Sequence, residues 1–71
     1  MREIVKGKKY RHFKGDIVTI VCLAYDSESL NELVVYEHNG KIWVRDKEMF
    51  LSRVDRVKYP NVSQEYRFEE V

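Results

Sequence analysis

The sequence predicts an all-β fold, a small SH3-like barrel of about five strands with one short helical turn. Three observations carry this: a nine-residue β-branched and aromatic run, "IVTIVCLAY" at 17–25; an Asn39-Gly40 dipeptide between two apolar segments; and a helical spacing of apolar residues in one stretch, Asp46 to Val54. Closing a sheet into a barrel removes its exposed edges, which suits a chain of 71 residues. An OB-like barrel, which is usually longer, and a small open α+β sheet are the competing architectures. The length allows one domain, 1–71, with residues 1–8 read as a basic terminus that frays.

In "YRHFKG", Tyr10 to Gly15, an extended backbone sends Tyr10, His12 and Lys14 to one face and Arg11 and Phe13 to the other. Phe13 is read as a core contact and Gly15 as the turn into the next strand. Residues 17–25 are apolar on both faces, the pattern of a long, bent, doubly buried strand. "DSESLNE", 26–32, has the polar content of an exposed connection. Asn39-Gly40 fits the positive φ angles of a type I′ turn, so 33–38 should pair antiparallel with 41–45. Alternation in "KIWVR" puts Ile42 and Val44 on one face, expected to be the core face, with Lys41, Trp43 and Arg45 opposite. Asp46 is placed to cap a short helical turn, with Met49 and Phe50 plugging the barrel. "EYRFEEV", 65–71, reads as a closing strand.

Composition narrows the functional classes. With 44% hydrophobic and 35% charged residues the chain is globular rather than disordered. Its longest apolar run is about half the ~20 residues needed to span a bilayer, and the basic start leads into a strand-like stretch instead of a leader sequence. Membrane partners are therefore not expected, and a cytoplasmic location is. The lone Cys22 has no partner for an internal disulfide and is expected to be inert. Residues 1–14 hold six cations (Arg2, Lys6, Lys8, Lys9, Arg11, Lys14) against Glu3, a net +5, so the total of +1 leaves −4 for the rest.

Candidate chemistry is sparse. His12, His38 and Cys22 fall in separate strands without a ligand-spacing motif, so no metal site is expected, nor any cofactor. Ser27 and Ser29 sit in a turn where their hydroxyls bond local backbone, and Asp26, Glu28 and Glu32 read as a solvated loop. Binding is the better-supported class. Trp43 flanked by Lys41 and Arg45 on one strand face suits stacking on a base or packing against a partner side chain.

Taken in order, "YRHFKG", "YDSES", "LVVYE" and "WVRDKEMF" resemble a bacterial family catalogued as domain of unknown function sixteen fifty-three, whose pattern runs Y-R-H-F-K-G, H-S-E-T, V-V-Y, W-V-R-P and M-F. The resemblance covers roughly Lys9 to Leu51. It implies a small SH3-like barrel and no established activity. Asp26 stands where the family often has histidine, Ser29 replaces its threonine, and Asp46 replaces its proline.

The resulting expectation is a non-catalytic binding module. Its ligand-binding residues are Tyr10, Arg11, His12, Trp43 and Arg45, with Tyr36 weaker because it shares a parity with Val34 and fits a core position. The partner is a protein or small polar ligand, with a nucleic acid or nucleotide as the alternative. An enzyme using His12 with Asp26 or Glu28 is the less favoured class, and the chain is expected to be a monomer or weak dimer.

Overall fold

The computed structural model describes residues 3–71. Five strands, β1 (Lys9–His12), β2 (Ile17–Tyr25), β3 (Glu32–His38), β4 (Lys41–Asp46) and β5 (Phe68–Glu70), form one antiparallel sheet in the order β4-β3-β2-β1-β5, with a single-turn helix α1 (Lys47–Phe50) after β4. The all-β class and the lone helical turn are as the sequence predicts. The sheet is not hydrogen-bonded shut, however: β4 and β5 are its two edges and do not pair. The three-residue β5 pairs with β1, Tyr10 opposite Glu70 through His12 opposite Phe68.

Local chemistry accounts for the elements. Asn39 (φ 54°) and Gly40 (φ 75°) supply the two left-handed residues of the predicted hairpin turn, which sets Tyr36 opposite Trp43 and Val34 opposite Arg45. Gly15 (φ 104°) closes the β1–β2 turn, its N–H donating to the His12 carbonyl at 2.7 Å. Asp46 caps α1 by accepting from the Glu48 N–H at 2.9 Å. The register of β2 against β3 slips between Ile20 and Cys22, a bulge that bends the long strand.

The core is Tyr10, Val18, Ile20, Val34, Tyr36, Phe50, Val54 and Phe68. Four rings dominate it. Phe50 stacks on Phe68 with centroids 4.1 Å apart and planes within 7°, Tyr10 meets Phe50 edge-on at 5.3 Å, and Tyr36 contacts both phenylalanines at 5.8 Å.

Four expectations are corrected. Tyr10 is core, 1% exposed, with its hydroxyl bonded to the Glu3 carbonyl, whereas Phe13 lies beyond the end of β1, half-buried beside Tyr59. In β4 the faces are likewise exchanged: Trp43 and Arg45 lie on the core side and Ile42 and Val44 face outward, 61% and 57% exposed. β2 is not doubly buried: Cys22, opposite Val35, is half-buried, and Leu23 and Tyr25 are exposed. Met49 is exposed, and Phe50 alone fills the interior. Within the basic terminus, Ile4 packs on the core, and Gly7 and Lys8 exchange backbone hydrogen bonds with Ile20, both at 2.9 Å; Met1 and Arg2 lie outside the described residues.

Phe50→Ala should be the most damaging simple truncation, since it empties a fully buried ring site shared by Tyr10, Tyr36 and Phe68. A loss of about 3–5 kcal/mol is expected, comparable to the whole stability of a domain this small, so urea melts should show little or no folded baseline.

Candidate ligand-binding cleft

Because β4 and β5 do not pair, the concave side of the sheet stays open along that seam. A cleft of about 220 Å³ lies there, floored by Val18, Tyr36 and Phe68 and walled by His12, Asp16, His38, Trp43 and Arg45. Its polar groups come from three elements: His12 from the end of β1, Asp16 from the turn before β2, and His38, Trp43 and Arg45 from the β3–β4 hairpin.

Arg45 crosses the seam. Its guanidinium carbon lies 5.6 Å from the centroid of the Phe68 ring on β5, and its Nε is buried without a hydrogen-bond partner. Opposite, the His12 ring packs against Phe13 at 4.4 Å and edge-on to Phe68 at 4.9 Å. The Lys14 backbone N–H donates to His12 Nδ1 at 3.1 Å, which leaves the ring proton on Nε2. Burial holds the His12 pKa below its ordinary 6.5; the positive charge of Arg45 lowers it further, and Asp16 opposes them. His38 Nε2 stands 3.6 Å from Asp16 Oδ1, and Trp43 donates its indole N–H to the His38 carbonyl at 3.3 Å while remaining 45% exposed.

Of the residues expected to bind, His12, Trp43 and Arg45 meet around this cleft, and Tyr36 contributes to its floor from a core position. Tyr10 is buried beneath, and Arg11 is exposed outside the lining. Sequence reasoning missed Asp16, His38 and Phe68. The two-residue turn held a usable signal: it aligns Trp43 with Tyr36 and Arg45 with Val34, so reading Val34 and Tyr36 as core requires Trp43 and Arg45 on that same face.

The pairing of His12 with Asp26 or Glu28 is not formed. Asp26 lies beyond the far end of β2, roughly 30 Å of strand from the His12 end, where Oδ1 accepts the Glu28 and Ser29 N–H groups at 2.8 and 3.0 Å and these bonds lower its pKa. Asp26 thus closes a turn. A larger hollow of about 630 Å³, lined in part by Leu30, Glu32, Asp46, Lys47 and Glu48, has polar groups already engaged: Lys47 pairs with Glu32 at 2.9 Å and Asp46 caps α1. Among the described residues no group of three His, Cys, Asp or Glu side chains is arranged to hold a metal ion, and no helix is long and apolar enough to cross a membrane.

A family model described as "Protein of unknown function (DUF1653)" matches residues 8–70. The chain belongs to that family. Comparison with curated proteins gave no match, and comparison with solved structures gave none either. The DUF1653 match takes in every residue lining the cleft.

His12 in this DUF1653 chain makes a pH prediction. Its folded pKa lies below the unfolded 6.5, so the unfolded chain binds the proton more readily. Stability should be full above pH 6.5 and fall as pH drops from there to the folded pKa of His12, with no further loss from this group below it. An NMR titration of the His12 ring should give a midpoint below 6.5, and His12→Gln should flatten the stability profile in that window.

Proposed function

We propose that this protein is a small, non-catalytic recognition module that holds an anionic group of its ligand in the cleft. Arg45 and the outward N–H of His12 supply the donors, and Trp43 flanks the ligand's flat or apolar part. One observation carries the reading: Arg45 is a cation lying over an aromatic ring in a concave site, its Nε buried and unpartnered. Neighbouring His12 can donate from Nε2 while neutral, because its Nδ1 accepts the Lys14 backbone N–H.

A nucleic-acid ligand is the second reading, favoured by what adjoins the cleft. The His12 and Phe13 rings continue to Tyr59, with Lys14 5.9 Å from the Phe13 centroid and 5.5 Å from that of Tyr59, and Lys58 5.6 Å from Tyr59. Alternating rings and cations of this kind suit a stacked single strand.

The two readings separate in one NMR experiment, titrating the ¹⁵N-labelled protein with a mononucleotide, a short single-stranded RNA and a short acidic peptide. Shifts confined to His12, His38, Arg45 and the Trp43 indole are expected, and Arg45→Gln should weaken the responding ligand at least tenfold, about 1.4 kcal/mol. RNA binding that spreads to Phe13 and Tyr59 and weakens steeply with salt would select the second reading. Absence of any cleft response up to millimolar ligand would overturn both. Trp43→Ala should keep the native dispersion of the spectrum; if it unfolds the domain, Trp43 is a packing residue.

A further inference from the structure

β4 pairs with β3 on one side only, and its residues Lys41 to Val44 are all exposed. Natural edge strands are usually blunted by proline, a bulge, shortness or a charge at the centre. In β4 the charges sit at the ends, Lys41 at one and Arg45 and Asp46 at the other: the strand is six residues long, pairs with β3 without a register shift, and carries Ile42, Trp43 and Val44 in its middle. In a two-residue hairpin the residues flanking the turn form a hydrogen-bonded pair, so Lys41, Trp43 and Arg45 direct their backbone groups at β3. Those of Ile42, Val44 and Asp46 therefore point outward, a row of unpaired donors and acceptors.

We propose that this edge pairs antiparallel with β4 of a second copy of the chain, giving a two-fold dimer with a continuous ten-stranded sheet. A two-fold axis perpendicular to the sheet keeps each face on its own side, so only residues of like face can come opposite. Two central registers meet that condition. One centres on Trp43 and sets Lys41 opposite Arg45 of the second copy twice over, a like-charge contact. The other centres on Val44: Val44 faces its own counterpart, Ile42 faces Asp46, and Trp43 faces Arg45. The second register has no like-charge pair within the six strand residues and joins the outward groups of Ile42, Val44 and Asp46. On the outer face it extends an apolar stripe of Val35, Ile42 and Val44 across the axis, covering side chains that the single chain leaves in water. The backbone phase fits an antiparallel strand, and self-pairing without a like-charge contact between strand residues fits a second copy of this one.

Trp43 and Arg45 also line the cleft, so the inference is tested by mass and cross-linking, which read the strand pairing whether or not a ligand is present. Sedimentation equilibrium over a concentration series should show the mass rising from 8.6 kDa toward twice that value. Val44→Lys, at a side chain that faces solvent in the single chain, should keep the circular dichroism spectrum and hold the mass at the monomer value. In a Cys22→Ser background, Val44→Cys should form an intermolecular disulfide on mild oxidation, because the axis places position 44 opposite itself at a bridgeable distance. A monomer at all concentrations, a dimer that survives Val44→Lys, or a dimer in which Val44→Cys does not cross-link would each overturn the proposal.

Discussion

The structure depends on the Phe50–Phe68 stack. In a closed barrel the last strand would hydrogen-bond to the first edge and hold the sheet in its curl. Here β5 and β4 do not pair, and two rings with centroids 4.1 Å apart join the helical turn after β4 to β5. Tyr10 and Tyr36 complete the cluster from β1 and β3, so three of the five strands and the one helical turn meet around Phe50 or its neighbours. A stack has no ladder to propagate. It fixes the ends of the sheet at one level and leaves the remainder of the seam open.

That opening is where the cleft forms. Arg45 spans the gap by lying over Phe68, His12 covers the other side of the same ring, and Trp43 stands at the rim. The polar groups are held by short-range constraints: the Lys14 N–H sets the His12 tautomer, and the His38 carbonyl takes the Trp43 indole N–H. Each side chain is therefore oriented before any ligand arrives, which reduces the ordering cost of binding. The larger hollow beside α1 differs in this respect, because its lysine and aspartate are already satisfied within the protein.

Much of this was legible residue by residue. The Asn39-Gly40 turn, the Asp46 cap and the Gly15 turn were readable because each rests on a backbone requirement that few residue types meet. Three cleft residues were readable as chemistry, though not as a place. Asp16 and His38 were missed because one sits in a turn and the other beside one, and nothing local says that the two turns lie at the same end of the sheet. Tyr10 was misassigned because a tyrosine followed by Arg-His looks like a surface group, while its ring is in the core and its hydroxyl meets the Glu3 carbonyl.

The sequence by itself determined the strand alternation, the hairpin register and the aromatic content of the core, since all three follow from a period of two and from turn stereochemistry. Only the tertiary structure decided which of the two alternating sets faces inward. In β1 and β4 the sets were correct and the faces exchanged, because in β4 Ile42 and Val44 are locally the better core residues than Trp43 and Arg45. Register with β3 overrides that preference: Val34 and Tyr36 are inside, so their partners Arg45 and Trp43 must be on the same side. The unpaired seam was likewise a tertiary outcome: β4 and β5 are the two edges of the sheet, and the Phe50–Phe68 stack joins their ends where a ladder would close a barrel.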